Sequence, residues 1–377
     1  MLPVSIGEHM DIMRHSFLVT LLLLASLHHA LATDRVVSSS GLYPTIGDAL
    51  AVSQDGDRIL LEPGTYTENL SISKSITLLP NQEGTRPTID GNITIDNADG
   101  KRVSILGIRC TGYMIKSGVY TSRTEIKMLD SRIDRLIDLR DPHIHVEMLR
   151  DTISCQISLS SGTVIGNEIP GCQAAGEGVA GVIVQGPTNL PDDLWVIGNA
   201  IGGSAPGLSV SITTDSRFHV ENNYVRGYPG YPAVAVQRPG TRPMPPICTV
   251  LNNTLYQTGS SNPTTGISYV PNILARNNAL ITYGVQGGGY NPMVTLLAIN
   301  PATGAPSAGS PLIDAGDPDP RYLDLDLTRN DAGCYGGSNS RANFTTGMGS
   351  AVVGFMQAPR VVAQGEAVNI NATGFDR

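Results

Sequence analysis

Charged side chains are densest between residues 130 and 151, and their types suit proton transfer beside a bound anion. A histidine between carboxylates can exchange protons near neutral pH, and an arginine can hold a ligand carboxylate through two hydrogen bonds. We take Asp141 and His143 as candidate catalytic residues and Arg140 as a candidate substrate-binding residue. The alternative is that these charges pair with one another on a solvated outer face. The charged residues of the segment are Asp130, Arg132, Asp134, Arg135, Asp138, Arg140, Asp141, His143, Glu147, Arg150 and Asp151.

Aromatic side chains form a second candidate binding group, because flat rings stack on flat apolar ligand faces. Tyr228 and Tyr231 lie with Tyr224 near the longest insertion of the chain, at 226–247, and the only tryptophan is Trp195. Loops that project from a rigid scaffold often carry binding residues. Tyr228 and Tyr231 are therefore candidate substrate-binding residues. The alternative is that these rings cover the base of their own loop.

Aspartates near the C-terminal end form a candidate cation site. Asp324 and Asp326 are candidate Ca²⁺ ligands, because clustered carboxylate oxygens suit this ion. Their spacing does not fit an EF-hand loop, and turn-capping aspartates beside Gly and Pro would explain the same pattern. The acidic residues concerned are Asp314, Asp317, Asp319, Asp324, Asp326 and Asp331. No other cofactor is predicted.

A seven-residue pattern recurs through the middle of the chain and indicates which elements position these groups. Each copy has a variable first residue, an apolar residue, a two-residue step, an asparagine, any residue and another apolar residue. Ser131 and Asp151 hold the asparagine position in two upstream copies, and Leu106 is assigned to it in a third. The mean interval is about 25 residues. The asparagine copies are 163–169, 195–201, 219–225, 249–255 and 274–280.

This interval predicts an all-β fold, a single right-handed parallel β-helix of about eight or more coils. Strands this short bury little alone, but stacking each coil on the next pairs equivalent strands ~4.8 Å apart. The recurring asparagine suits a bend that needs left-handed backbone angles, and it can hydrogen-bond its equivalents in adjacent coils. The 32-residue interval after Asn167 contains residues 182–184, which leaves room for an additional coil. Turn spacing does not fit a β-sandwich.

The pattern divides the chain into four parts. Residues 1–32 are predicted to be a signal peptide, since Arg14 and His15 precede an apolar run at 17–27 and a small-x-small site at 30–32. Residues 33–300 are predicted to form the β-helix, with a short cap helix at 43–50. An Asp/Gly/Pro-rich closing segment follows at 301–345, and a β-type tail at 346–377. The tail is predicted either to begin an immunoglobulin-like module or to add strands along the stack.

The predicted signal peptide indicates a secreted protein, either extracellular or periplasmic. The apolar run is too short to span a bilayer as a helix, and no later stretch predicts a transmembrane anchor. Export permits disulfides among the five cysteines. Whether Cys155 and Cys172 pair is left open, and most of the cysteines are expected to be small buried side chains. A formal net charge of −8 disfavours nucleic acid as a partner.

Two segments resemble the pectin-lyase-like superfamily of right-handed parallel β-helix proteins. DGDRILLEPGTYTENLSISKSITLL (55–79) resembles their first coils, and GSPLIDAGDPDPRYLDLDLTRNDAGCYGG (309–337) resembles a segment that closes exported bacterial members. Asp141-Pro142-His143 is similar to the core motif of alginate C5-epimerases, although Asp138-Leu139-Arg140 replaces the residues that precede that motif. The signature motifs of pectin methylesterases, polygalacturonases and pectate lyases are absent from the sequence.

The resemblance implies a polysaccharide partner but does not choose an activity, since the superfamily includes enzymes and non-enzymatic surface proteins. The favoured hypothesis is an exported protein that contacts extracellular or cell-surface polysaccharide without catalysis. A second is a polysaccharide lyase or uronate C5-epimerase that uses the outer face around 130–151. A third is a structural or adhesive surface protein. The oligomeric state is not predicted.

Overall fold

The computed structural model describes most of the chain after the predicted signal peptide, which lies outside the described residues except for Ala32. Within the described part, strands form three parallel sheets, named A, B and C here, and one antiparallel hairpin. The described residues are 32–172, 181–186, 190–202, 210–214, 216–227, 230–237, 248–257, 265–268, 273–283, 289–344, 351–357, 362 and 364–376.

Each coil contributes one strand to each sheet in the order A, B, C. Sheet A contains β1 (Asp34–Val37), β2 (Arg58–Leu61), β5 (Ile76–Pro80), β8 (Arg102–Leu106), β11 (Thr124–Leu129), β14 (Ile144–Leu149), β17 (Ser161–Ile165), β20 (Leu194–Ile197), β23 (Phe218–Glu221), β26 (Cys248–Leu251) and β29 (Ile273–Arg276). Sheet B contains β3 (Thr65–Tyr66), β6 (Thr88–Ile89), β9 (Arg109–Cys110), β12 (Arg132–Ile133), β15 (Thr152–Ile153), β18 (Glu168–Ile169), β21 (Ala200–Gly202), β24 (Tyr224–Gly227), β27 (Thr254–Gln257), β30 (Ala279–Ile281) and β31 (Met293–Val294). Sheet C contains β4 (Leu70–Ile72), β7 (Ile93–Asp96), β10 (Met114–Ser117), β13 (Ile137–Asp138), β16 (Ile157–Leu159), β19 (Val182–Gln185), β22 (Val210–Thr213), β25 (Val234–Val236) and β28 (Ile267–Ser268).

This arrangement confirms the predicted right-handed parallel β-helix, which has about nine turns. Alternate side chains point inward and stack in columns. Ile126, for example, pairs with Val103 on one side and Val146 on the other, and all three are fully buried. The columns form one continuous apolar core along the axis, and the outer faces of the sheets are left for polar side chains.

The predicted cap helix is present as α1 (Ile46–Val52), three residues later than its predicted start. Thr45 sets that start, because its side chain accepts a hydrogen bond from the Asp48 N–H at 3.1 Å. Ile46 and Ala49 are buried against the first coils. The helix therefore covers apolar surface that a terminal coil would otherwise expose.

The predicted asparagine column is confirmed as a ladder between sheets A and B. Asn199 Nδ2 lies 2.9 Å from Asn223 Oδ1, and Asn223 Nδ2 lies 3.0 Å from Asn253 Oδ1. Ser131 and Asp151 continue the ladder upstream, where the Ser131 N–H donates to Asp151 Oδ1 at 2.7 Å.

Three details of the predicted pattern are wrong. The left-handed residue of each bend is the one before the ladder residue, such as Asn222 at φ 56° or Gly198 at φ 66°. The equivalent of Ser131 one coil earlier is Ile108, because Leu106 pairs with Leu129 instead. Residues 182–184 belong to β19, which pairs with β16 and β22 as the sheet C strand of that coil, so they add no coil.

The closing segment runs back along the outside of sheet B. It bonds first to the late coils and then to earlier ones: the Asp317 N–H donates to Asn277 Oδ1 at 2.8 Å, and Arg341 reaches Glu168 at 2.6 Å. Its 3₁₀ helices are Pro320–Tyr322 and Arg341–Phe344, and a further 3₁₀ helix, Leu296–Ala298, precedes it. Apolar side chains of the segment and sheet B form a separate buried cluster of Tyr224, Ala279, Ile281, Ala298, Ile299, Leu312, Ala332 and Cys334.

Two further features complete the described chain. Strands β32 (Ala351–Gln357) and β33 (Asn371–Asp376) pair with each other as an antiparallel hairpin in the β-type tail. Cys155 and Cys172 form a disulfide, which answers the question left open by the sequence. The other three cysteines, Cys110, Cys248 and Cys334, are buried thiols, as expected. Among the helices of the described residues, none is long and apolar enough to cross a membrane.

Candidate functional site

The structure brings Asp141 and His143 together in the turn between β13 and β14. The His143 N–H donates to Asp141 Oδ1 at 3.0 Å, and His143 Nδ1 lies 3.5 Å from the same oxygen. Lys116 donates to the other carboxylate oxygen at 2.8 Å. The Asp141 side chain is largely buried, whereas that of His143 is 25% exposed. Carboxylate, imidazole and ammonium thus meet at one point.

Lys116 is the member of this group that the sequence did not reveal. It lies in β10, one coil before Asp141, and the two residues are 25 apart in sequence. The coil interval of about 25 residues was the signal that could have found it, because residues one interval apart lie side by side on a solenoid.

Arg140 lies beside this group and is paired. Its Nε and Nη2 donate to the two carboxylate oxygens of Asp138 at 2.8 and 2.5 Å, and its Nη1 donates to Gln185 Oε1 at 2.9 Å. Partial burial acts to raise the pKa of Asp138, but the hydrogen bonds from Arg140 outweigh it and the pKa is lowered. The guanidinium is therefore held rigidly next to an ionised carboxylate.

An open cleft of about 580 Å³ on the outer face of sheet C, named the sheet C groove here, is lined by Lys116, Arg140 and Asp141, but His143 is not among its lining residues. The groove crosses four consecutive strands, β10, β13, β16 and β19, which is a span of about 14 Å at ~4.8 Å per strand. Donors, acceptors and both signs of charge face it. Its lining residues are Ile115, Lys116, Asp138, Arg140, Asp141, Pro142, Ser160, Gln185 and Gly186.

The other charges of 130–151 do not join this groove, so the predicted single patch is divided between faces. Arg132 pairs with Asp134 at 2.5 Å and Arg150 with Asp130 at 2.9 Å, both away from sheet C. Arg135 lies over the Tyr113 ring at 5.9 Å. The division follows from the fold, since a segment of one coil's length visits all three faces of the solenoid.

The aromatic candidates are dispersed as well. Tyr228 lies outside the described residues, and Tyr231 is 41% exposed just before β25. Tyr224 is fully buried under the closing segment, where its hydroxyl donates to the Pro301 carbonyl at 2.7 Å and burial raises its pKa to about 12. Trp195 stacks on His219 at 3.8 Å between ring centroids, so this ring face is not available to a ligand.

Asp324 and Asp326 both act as hydrogen-bond acceptors of turns. Asp324 accepts from the N–H groups of Asp331, at 3.1 Å, and Gly337. Asp326 accepts from the hydroxyl and the N–H of Thr328 at 2.6 and 3.1 Å, and these bonds lower its pKa. Within the described residues, His, Cys, Asp and Glu side chains form no group of three or more that could hold a metal ion. Calcium binding at this pair stays a prediction.

A second polar cluster, which sequence reasoning missed, lies on the outer face of sheet A. His145 Nδ1 lies 3.2 Å from Ser161 Oγ and 3.4 Å from Asp192, and its Nε2 lies 3.8 Å from Glu147. Burial is the main cause that lowers the pKa of His145. Arg123, which lies just before β11, also bonds to Asp192, which lies just before β20. The cluster therefore joins side chains from several successive coils. The alternation of polar residues along β14 was its only sequence signal.

Comparison with known proteins adds little to this geometry. The structure is similar to a solved structure described as "Crystal structure of pectate lyase Pel9A", with a TM-score of 0.41 and 14% sequence identity over 81% of this chain and 96% of that chain. A likeness of this size carries no information about activity. The sequence matches no known protein family and no curated protein.

Proposed function

We propose that this protein is exported and binds extracellular or cell-surface polysaccharide in the sheet C groove, without catalysis. The observation that carries the proposal is the groove itself: an open cleft of about 580 Å³ that crosses four strands and presents both donors and acceptors. An extended, hydroxyl-rich chain needs such contacts repeated along a line, and a parallel solenoid repeats them once per coil.

The pairing of charges in the groove favours binding of sugar hydroxyls over recognition of charge. Arg140 is paired with Asp138, and Lys116 with Asp141, so two cations are matched by two carboxylates. Hydroxyl groups can donate to such carboxylates and accept from the amide of Gln185. Because the pairs hold these side chains in place, little side-chain freedom is lost on binding.

Export is supported by the Cys155–Cys172 disulfide together with the predicted signal peptide. Disulfides persist in oxidising compartments and are rare in the cytosol. The secreted location, extracellular or periplasmic, is part of the proposal.

A lyase or uronate C5-epimerase is the second candidate, favoured by the contact of Asp141 with His143 and Lys116. In either reaction a base removes the proton at C5, while a cation neutralises the neighbouring carboxylate. A lyase then breaks the C4–O bond and passes a proton to the leaving oxygen, whereas an epimerase returns a proton to the opposite face of C5. Lys116 would supply the cation, but a uronate would have to compete with Asp141 for it. This competition is why binding without catalysis is the favoured proposal.

The test is a panel of neutral and acidic polysaccharides, read for both binding and unsaturated products. We expect binding without product, and we expect Arg140→Ala with Gln185→Ala to weaken it by about tenfold or more, on the basis of two lost hydrogen-bonding groups. Arg102→Ala is the matched control, because Arg102 is 77% exposed on sheet A. Failure of every polysaccharide to bind would favour a structural or adhesive role. Unsaturated product that disappears in His143→Ala would instead establish the lyase.

A further inference from the structure

The closing segment divides the outer face of sheet B into a covered and an open part. From Ala200 onward the face is covered: Ala200, Tyr224 and Thr254 are buried, and the Cys334 N–H donates to Thr254 Oγ1 at 2.9 Å. Glu168 lies at the boundary, where it pairs with Arg341 at 2.6 Å and its side chain is still 56% exposed. Before Glu168, the outward side chains of the described strands are intermediate or exposed. These are Thr65, Thr88, Arg109, Arg132 and Thr152, one per coil in adjacent pairs of the sheet.

Two arginines occupy adjacent positions in the middle of this open part. Arg109 and Arg132 are direct partners in the register of β9 and β12, so their backbones lie ~4.8 Å apart. Asp134 accepts hydrogen bonds from both, from Arg109 Nε at 2.8 Å and from Arg132 Nε at 2.5 Å. Both arginine side chains are 43% exposed. One carboxylate thus holds two guanidiniums side by side at the surface.

This trio carries a net charge of +1, since two guanidiniums share one carboxylate (2 − 1). Partial burial acts to raise the pKa of Asp134, but hydrogen bonds from Arg132 and Arg109 outweigh it and lower the pKa. The carboxylate therefore stays ionised, and the arrangement persists across the physiological pH range. The bonds to Asp134 use Nε and Nη2 of Arg109 and Nε of Arg132. The remaining guanidinium N–H groups are not committed to that carboxylate, and guanidinium forks suit planar oxyanions.

We propose that this open part of sheet B is a second binding surface, which holds an acidic polysaccharide through its carboxylate or sulfate groups. The column of outward side chains supports an extended ligand over a small anion. Thr88 precedes Arg109 and Thr152 follows Arg132 in register, so two hydroxyls flank the two guanidiniums along the axis. Asp90, which accepts a hydrogen bond from Thr111 at 2.8 Å, marks the acidic margin of the surface. The surface lies on a different sheet from the sheet C groove, and the proposal does not depend on that groove.

The charge of the whole chain makes this local cation pair significant. With a formal net charge of −8, the protein as a whole repels acidic polymers. Acidic glycans would therefore bind only where positive charge is concentrated, and their binding would weaken with salt.

The test is a titration of the full-length protein with three probes: polygalacturonate, heparin and dextran. We expect at least one acidic probe to bind more tightly than dextran, and we expect Arg109→Gln with Arg132→Gln to weaken that binding by about tenfold or more. Arg102→Gln removes one positive charge from sheet A, as each single substitution does from sheet B, and should leave the affinity within about twofold. Any binding of dextran should be unchanged in Arg109→Gln with Arg132→Gln, because neither arginine lines the sheet C groove, and this separates the proposal from the proposed function.

Several results would overturn the proposal. They are failure of both acidic probes to bind the wild-type protein, binding of dextran as tight as that of both acidic probes, or an equal loss in Arg102→Gln. Tighter binding of polygalacturonate would identify carboxylate as the preferred group, and tighter binding of heparin would identify sulfate, both in support of it. If the double variant does not fold, the single Arg132→Gln substitution carries the test, because its side chain is largely at the surface.

Discussion

Single buried polar side chains hold adjacent coils of this solenoid together. Asn223 is fully buried, and its Nδ2 donates to the Val196 carbonyl at 2.8 Å and to Asn253 Oδ1 at 3.0 Å. Its own Oδ1 accepts from the backbone N–H of Asn199 at 3.0 Å. Each ladder residue thus satisfies backbone groups that the turn would otherwise leave unpaired in a dry site.

Replacement of Asn223 by leucine should therefore destabilise the protein by on the order of 1–3 kcal/mol, because buried partners lose their hydrogen bonds. The midpoint of denaturant unfolding measures this change. Asn343→Leu is the control, since Asn343 is exposed and bonds only weakly to the Ser338 carbonyl at 3.3 Å. Equal midpoints for the two variants would show that the ladder does not stabilise the stack.

Asp151 is the one carboxylate in the ladder, and at neutral pH its ionised form is destabilised by burial. It accepts a hydrogen bond from the Ser131 N–H at 2.7 Å, yet its Oδ2 has no hydrogen-bond partner among the described residues. Complete burial raises its pKa well above the ordinary value. A raised native pKa means that its contribution to stability is full below the unfolded pKa of about 4 and is lost as pH rises through the native pKa.

Asp151→Asn should stabilise the protein at pH 7 by on the order of 1–3 kcal/mol, and by less near pH 4. The register places the Met128 carbonyl where Val164 and Val196 accept from other ladder asparagines, so the new amide has a ready partner. Unfolding midpoints at the two pH values give the difference. Asp90→Asn, at an exposed site, should show no such gain; loss of stability in Asp151→Asn would mean that the buried group is ionised and needed as such.

At the scale of elements, short strands rely on cross-links between their connecting turns. The Cys155–Cys172 disulfide joins the turn after β15 to the turn after β18, across 17 residues of sequence. It links equivalent turns of two consecutive coils. Closure of a loop of this length restricts the unfolded chain and favours the folded one.

Reduction should lower the free energy of unfolding by roughly 3 kcal/mol, the value typical of a loop this short. The measurement is unfolding with and without reductant. A variant with both Cys155→Ser and Cys172→Ser should lose the dependence on reductant, because the other three cysteines are buried thiols. A wild-type protein insensitive to reductant would show that the bond is absent or without effect.

At the scale of the molecule, the closing segment is packed as part of the solenoid. Asn252 and Asn277 of the coils bond to Asn330 and Asp317 of the segment, each at 2.8 Å. Leu312 is fully buried in the apolar cluster that the segment shares with sheet B. Phe344, at the far end of the segment, packs against the same buried apolar cluster as Trp195. These contacts predict that the segment and the solenoid unfold together.

Leu312→Ala should destabilise the protein by about 2–5 kcal/mol, whereas Leu297→Ala, at an 88% exposed residue, should change it by less than about 0.5 kcal/mol. Circular dichroism and the fluorescence of the single tryptophan should report one common transition. If the fluorescence change in Leu312→Ala came first, the closing segment would be a separate folding unit.

The sequence by itself determined the fold, because a solenoid repeats local information. The recurring asparagine and its apolar neighbours specify strand, bend and inward column within each coil. Each strand then pairs with the strand one interval away, so the interval by itself specifies which strands pair. The cap helix was also visible, since Thr45 and the apolar pair Ile46 and Ala49 are adjacent in sequence.

Only the tertiary structure decided which outward side chains share a surface. Lys116 meets Asp141 across a coil boundary, and the disulfide depends on two turns of variable length. The arginines of 130–151 separate onto different faces, because a residue's face depends on its phase within the coil. One residue of error in that phase moves a side chain to another face. A binding site on a solenoid is built from side chains of several coils. The composition of one segment can therefore indicate the kind of chemistry, but it cannot show which residues form the site.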